Sequence, residues 1–172
     1  MRELKTALIA VIAFTVMLGL AYPLAITGAA QVLYPGRADG EARLVARPYG
    51  DDLFQPRPSV TDYAADATFF NNQGPNQRAL AEQLRRYVRT YLERERPFNP
   101  GLTAAKVPAD AATTSASGVD PDISEANARI QAGRVAARRG LDRAQVLALI
   151  DAHARRGIVN VNDLNAAVEA SR

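Results

Sequence analysis

From Thr6 to Gly36 the chain carries no charged residue, and Ala, Val, Ile, Leu, Phe and Met make up most of the run. A hydrocarbon core of ~30 Å needs ~20 apolar residues at the helical rise. The pattern therefore predicts one transmembrane helix, residues 7–33, between a short N-terminal segment, 1–6, and a soluble domain, 34–172. Met1-Arg2-Glu3-Leu4-Lys5 and Arg37-Ala38-Asp39-Gly40-Glu41 supply the charged flanks. Tyr22-Pro23 lies inside the run and predicts a kink or a local end, because proline lacks a backbone donor and crowds the preceding turn. Thr27 and Gly28 are small, and small residues let a neighbouring helix approach closely in lipid. The rival is a cleaved signal peptide, with Arg2 and Lys5 as its basic region and Ala7 to Leu20 as its apolar region. No strict Ala-x-Ala pattern ends the run, and apolar character continues through Val32-Leu33-Tyr34, which favours the span.

Beyond the span the pattern changes to that of a mixed, helix-dominated α+β domain. Residues 37–75 are rich in Pro, Gly, Asp and Asn, with apolar patches at Leu44-Val45, Leu53-Phe54 and Phe69-Phe70, and read as irregular chain with one short strand. Gln77 to Glu95 has Leu80, Leu84, Tyr87, Val88, Tyr91 and Leu92 at the spacing of one helical face, with Arg85, Arg86, Arg89 and Arg96 on the other. Pro97 to Gly118 is linker-like, rich in Pro, Ala, Ser and Thr, with two readings open, a segment laid across the domain or a mobile one. Ser124 then suits an N-cap for a helix towards Arg139, with a weak point at Gly133 and Gly140 closing it. Asp142 and Gln145 form a capping-box pattern, with Leu141 positioned to staple onto Val146. The buried face of that helix is expected at Val146, Leu147, Ile150 and Ala154, with Gly157 as its stop. Ile158-Val159-Asn160-Val161 alternates like a short strand, and Asn162 is placed to cap a last helix through Leu164 and Val168.

Composition adds limits. The net charge is +3, from 21 basic and 18 acidic residues, too balanced to call for nucleic acid. Cysteine is absent, which rules out disulfides and thiolate metal sites. Arg2, Lys5 and the terminal amine face Arg37, Arg43 and Arg47 across the span, so the positive-inside rule is nearly balanced; a long following domain still permits the N-terminus inside. No phosphate-binding glycine loop occurs, so a self-sufficient nucleotide site has no support. His153 is the single histidine and has no second ligand nearby in sequence. The densest polar cluster, Thr113 to Ser124, holds hydroxyls and two carboxylates in a turn before a helix, suited to N-cap chemistry or to ion contact. Gly74-Pro75-Asn76 has the same duality ahead of the long helix. Two functional ideas follow from these residues alone. Asp120 and Asp122 would draw cations by electrostatic focusing, or Ser115 or Ser117 would act with His153 in an anchored hydrolase.

Several runs, in order, resemble the C subunit of the Kdp-type potassium-transporting ATPase complex. They are Tyr22 to Pro35 in the membrane helix, Arg57-Pro58-Ser59, Gly74-Pro75-Asn76, Val107-Pro108-Ala109-Asp110, Ser117-Gly118-Val119-Asp120-Pro121-Asp122-Ile123-Ser124, Arg134-Val135-Ala136 and Val159 to Asn165. The resemblance implies a non-catalytic accessory subunit of the cytoplasmic (inner) membrane of a bacterium or archaeon, with the N-terminus inside and the domain outside. Its partners in the Kdp complex would be a channel-like potassium-translocating subunit, the P-type ATPase that pumps, and one further small subunit. ATP would be bound at the pump subunit, with no cofactor held independently, and the chain would act as a catalytic chaperone. The residues singled out as contact points are Tyr22, Pro23, Thr27, Gly28, Arg57, Pro58, Ser59, Gly74, Pro75, Asn76, Ser117, Gly118, Asp120, Pro121 and Ser124. There are departures. Phe69-Phe70-Asn71-Asn72-Gln73 stands where the family often has a Ser-Gly-Gly-rich run likened to a nucleotide-sensing signature. Ala116 replaces a glycine, Asp122 a common histidine, and the usual glycine-rich insertion after His153 shrinks to Ala154-Arg155-Arg156-Gly157-Ile158.

Overall fold

The computed structural model describes residues 2–35, 44–67 and 73–171. The charged flank Arg37-Ala38-Asp39-Gly40-Glu41, Arg43, and the Phe69-Phe70-Asn71-Asn72 stretch lie outside the described residues. The chain divides into two compact units, residues 1–41 and 42–172.

The first unit is helical from Arg2 to Leu33, long and apolar enough to cross a membrane, with no buried residue. It comprises α1 (Arg2–Val16), a π turn (Met17–Ala21) and α2 (Tyr22–Leu33). The expected kink or end at Pro23 takes the form of this π turn. The Tyr22 N–H bonds the Met17 carbonyl, five residues back, and Pro23 falls in the first turn of α2, where its missing N–H breaks no bond within that helix.

The second unit is built from α3 (Arg78–Glu95), α4 (Ala109–Ala112), β1 (Asp122–Ser124), α5 (Glu125–Arg139), α6 (Arg143–His153), β2 (Ile158–Asn160) and α7 (Val161–Ala170). β1 pairs antiparallel with β2, Ile123 opposite Val159, and both side chains are buried. Around them Phe54, Ala128, Ala132, Val135, Val146, Ile150, Leu164 and Val168 form the main core. Alanines at 128 and 132, one turn apart, give α5 a thin face that the strands can approach closely.

Local signals set most helix ends. The Ser124 hydroxyl accepts from the Asn127 N–H at 3.1 Å. Gly140 closes α5 in the left-handed conformation, φ +67°. Asp142 and Gln145 form the capping box, and Leu141 packs into the core beside Val146. Val146 and Ile150 are fully buried, while Leu147 and Ala154 pack half-buried against them.

Other expectations are corrected. Gly133 is no weak point: α5 runs through it unbroken, and a side chain there would come within 3.1 Å of the Phe98 carbonyl. Gly157 does not stop α6, which ends at His153; with Arg156 it forms the left-handed turn that reverses the chain into β2. Asn160, not Asn162, caps α7, accepting from the N–H groups of Asn162 and Asp163. Asn162 reaches instead to the Val45 carbonyl at 3.0 Å and the Tyr49 hydroxyl at 2.7 Å. The apolar stripe of α3 is buried only at Tyr91, while Leu80, Leu84, Tyr87, Val88 and Leu92 are half-buried; Glu95 is the other fully buried position on the helix. Of the two readings of Pro97 to Gly118, the first holds. The segment crosses the domain with Leu102, Ala111 and Ala112 buried, the first two packed against Tyr91.

No strand occurs among the described residues of 37–75. Side chains of the helices hold that segment by its backbone. Asn165 bonds both the N–H and the carbonyl of Phe54, at 2.8 and 3.0 Å, and Gln131 does the same for Gln55, at 2.8 and 3.1 Å. Arg134 donates to the carbonyls of Asp51 and Leu53. Amides thus supply the partners that a neighbouring strand would otherwise provide.

Candidate functional site

Three of the family-like runs meet on one side of the domain. Arg57 extends from the irregular segment to Asp120, Nη1 to Oδ2 at 3.2 Å, and its Nη2 donates to the Thr113 hydroxyl and the Thr114 carbonyl. The Ser59 hydroxyl accepts from the N–H groups of Thr61 and Tyr63, at 3.2 and 3.1 Å, and the Tyr63 hydroxyl returns to the Arg57 carbonyl at 2.9 Å. This turn holds Asp62 and Tyr63 consecutively in the left-handed region, φ +51° and +63°. Each costs on the order of 1–3 kcal/mol for a residue with a side chain, and such conformations collect at functional sites.

Gly118 lies buried beneath the same turn with φ +74°, and a side chain on it would come within 2.6 Å of the Thr61 hydroxyl. Gly118→Ala is expected to lower the unfolding free energy by about 1–2 kcal/mol from the left-handed backbone alone, and to push the 57–63 turn away from the 113–120 turn. Urea unfolding measures the first effect, and faster amide exchange at Tyr63 the second.

Asp110, from the Val107-Pro108-Ala109-Asp110 run, caps the start of α5 together with Ser124. It accepts from the Ser124 N–H and hydroxyl, both at 2.8 Å, and from the Asn127 amide at 2.9 Å. A carboxylate is well placed at this positive helix end. Asn127 Oδ1 in turn accepts from the Tyr91 hydroxyl and from Gln131. One polar network therefore runs from Asp110 through Ser124, Asn127 and Gln131 to Gln55.

Between these pieces lies a cleft of about 210 Å³, walled by Pro58, Tyr63, Tyr87 and Tyr91, with Arg94 and Asp62 also lining it. Burial raises the Tyr63 phenol above its usual value, with the Arg94 charge partly offsetting it, and burial chiefly raises Tyr91 as well. Both rings are neutral hydrogen-bonding groups around pH 7. Rigid tyrosines beside an arginine in a small recess match the composition of protein-binding hot spots.

The remaining singled-out residues have plainer places. Pro121 is buried, and its carbonyl accepts from Val161 at 2.9 Å. The Ser117 hydroxyl accepts from the Val119 N–H. Gly74, Pro75 and Asn76 form the turn into α3, where the Gln77 N–H bonds the Gly74 carbonyl. Tyr22, Pro23, Thr27 and Gly28 lie exposed in α2. The serine–histidine arrangement is not assembled: Ser115 accepts from Gly118, and His153 Nδ1 is tied to the Leu149 carbonyl of its own helix. Asp120 pairs with Arg57, and the exposed Asp122 accepts from Asn160. No cluster among the described residues offers three metal-ligating side chains.

Sequence reasoning missed Tyr63, Tyr87, Tyr91, Arg94, Asn127 and Gln131. Tyr87 and Tyr91 showed only as part of a helical stripe and Asn127 and Gln131 as polar residues on the inner face of α5, while Tyr63 and Arg94 carried no local signal.

The family model described as K+-transporting ATPase, c chain (KdpC), matches residues 4–170. The chain belongs to the KdpC family. Similar proteins include the potassium-transporting ATPase KdpC subunit of Caulobacter vibrioides (strain NA1000 / CB15N), 41% identical over 193 positions that cover 98% of this chain and 93% of that protein. The KdpC subunit of Cereibacter sphaeroides (strain KD131 / KCTC 12085) is 37% identical over 190 positions, covering 99% and 98%. That of Rhodospirillum rubrum is 41% identical over 163 positions, covering 87% and 82%. As a KdpC chain this protein is a non-catalytic subunit of a K+-transporting ATPase, a membrane complex, with one N-terminal candidate span.

Proposed function

We propose that this chain is an accessory subunit that stabilises assembly of the channel-like subunit, the P-type ATPase and the small subunit of the Kdp complex. In this reading its N-terminus is cytoplasmic, residues 7–33 span the membrane, and the domain from residue 34 lies outside. It acts as a catalytic chaperone that promotes ATP binding by the pump subunit. A domain outside the membrane is separated from cytoplasmic ATP, so its effect on nucleotide affinity passes through helix packing and a shifted pump conformation. ATP stays with the pump subunit, and the cleft beside Arg57 docks a partner surface.

The observation that carries this reading is the Arg57–Asp120 junction. Runs about 60 residues apart in the chain are brought together there beside a preformed tyrosine-lined cleft. Affinity purification from native membranes in mild detergent is expected to recover the channel-like and ATPase subunits with this chain; recovery of the chain alone overturns the reading. Arg57→Ala removes the ion pair and the bonds to Thr113 and Thr114, at a cost of about 1–3 kcal/mol, and urea unfolding separates that loss from an effect on assembly. The variant is expected to bring down several-fold less of the partner subunits. Undiminished recovery would take the cleft out of the assembly surface. Protease accessibility in intact spheroplasts checks the orientation.

A further inference from the structure

The π turn in the membrane helix creates a chemical demand. Tyr22 donates its N–H to the Met17 carbonyl, and α2 begins with Ala21 at its N-cap, whose carbonyl takes the first bond of that helix from Ala25. Pro23, between them, has no N–H to give. The carbonyls of Leu18, Gly19 and Leu20 are therefore left with one backbone donor among them, the N–H of Leu24. One acceptor is surplus because of the proline and another because the register widens by one residue.

These carbonyls lie at the middle of the Arg2–Leu33 helix, within three residues of its centre. With residues 7–33 as the span, they sit deep in hydrocarbon whichever way the chain is oriented. Each unsatisfied backbone group there costs several kcal/mol, and neighbouring helices are one source of the missing partner. The helix surface is open at this level. The nearest atom to a side-chain position on Gly19 is the Thr15 methyl, Cγ2, at 4.0 Å, and no residue of the π turn is buried. Single π turns inside α-helices recur at functional sites.

We propose that the Met17–Ala21 turn is an acceptor site for a partner transmembrane helix of the ATPase, which presents a donor side chain to the Leu18–Leu20 carbonyls. The donor is a side-chain amide, a hydroxyl or a protonated amine or guanidinium group. The choice of a partner subunit over a second copy of this chain rests on membership of a multi-subunit membrane ATPase, and is independent of the chaperone reading. Gly19 keeps the approach clear, and Pro23 keeps the acceptors free. In this role the proline sets up a contact; bending the helix is not its function.

The test uses the full-length chain with a 13C=18O carbonyl label placed by semisynthesis at Leu18, Gly19 or Leu20 in turn. Isotope-edited infrared spectra are taken in lipid bilayers, for the chain alone and for the reconstituted complex. At least one labelled band is expected to move to lower wavenumber in the complex. Gly19→Leu should abolish that shift, and Pro23→Ala should give one more low, bonded band among the three labels in both samples. Identical spectra with and without partners, while size-exclusion shows that the complex has formed, overturn the proposal. Low bands at all three labels in the wild-type chain alone also overturn it, through self-association if they rise on dilution in lipid and through water or an internal donor if they do not. Failure of the complex to form would instead count against the assembly reading.

Discussion

Replacing Arg134 with methionine is expected to lower the unfolding free energy of the domain by about 3–5 kcal/mol, the range for breaking a buried ion pair from one side. Arg134 and Glu95 are both fully buried, with Nε and Oε1 2.9 Å apart. The rest of the guanidinium serves three more acceptors: the carbonyls of Asp51 and Leu53, and Gln131 Oε1 at 2.8 Å. Methionine fills similar space but satisfies none of these. It also leaves the Glu95 carboxylate with only Arg94 as its cation, at 2.9 Å. Arg134→Lys is expected to rescue little, because one ammonium cannot span acceptors arranged around a planar fork. Arg134→Met combined with Glu95→Met should recover much of the loss, since the larger part of the single-variant cost is the stranded charge. Urea unfolding in mild detergent, followed by tyrosine fluorescence, measures all three. A loss below about 1 kcal/mol for Arg134→Met would mean that the pair does not hold the 51–55 segment to α3 and α5.

The features legible in the sequence are those fixed by neighbours a few residues away. The membrane helix follows from an uncharged run, and the starts of α5 and α6 from Ser124 and from the Asp142–Gln145 pair. The cap of α7 shows the limit. Asn160 and Asn162 both suit the role, and the choice depends on Asn162 being claimed by Val45 and Tyr49, more than 110 residues away in sequence. β1 was hidden for a related reason. Three residues, Asp122–Ser124, are too few to display alternation, and the strand exists because β2 returns beside it. Glu95 continued the arginine-rich polar pattern of α3, and nothing local marked it as buried against Arg134. The half-exposed stripe of α3 errs the other way: the spacing of Leu80, Leu84 and Val88 specifies a helix face, while burial depends on what packs against it.

The candidate site divides along the same line. Family resemblance picked out Arg57-Pro58-Ser59 and the run from Ser117 to Ser124 separately, and neither motif states that Arg57 meets Asp120 or that Gly118 lies under Thr61. Those are consequences of how the irregular segment is laid across α5 and the 113–120 turn. The cleft tyrosines come from two elements, Tyr63 from a strained turn and Tyr87 and Tyr91 from a helix, so no single window of sequence contains them.

The way the irregular segment is laid down leads to the second large effect. Asn165→Leu is expected to cost about 2–5 kcal/mol, because it strands both the N–H and the carbonyl of Phe54, each worth about 1–3 kcal/mol when buried and unpaired. Phe54 is fully buried and Asn165 1% exposed, so water cannot replace the lost partner without opening the core. Leucine has the same heavy-atom branching as asparagine, so no cavity forms, and the lost hydrogen bonds are the main cost, with some overpacking from the larger methyl groups. Asn165→Asp tests the donor specifically. The carboxylate still accepts from the Phe54 N–H but turns an anion towards the Phe54 carbonyl, and it is expected to destabilise at least as much as leucine at neutral pH. Amide exchange gives the local readout. In wild type the Phe54 N–H should exchange only with global unfolding; in Asn165→Leu it should exchange faster than the amides of α5 and α6. If the Phe54 amide stays as protected as those helices, the Asn165 contact is not what fixes the segment. If it is released, Arg57 loses the anchored chain that carries it to Asp120, and recovery of partner subunits should fall with it. A buried amide at the C-terminal end of the domain would then control the assembly surface without touching it.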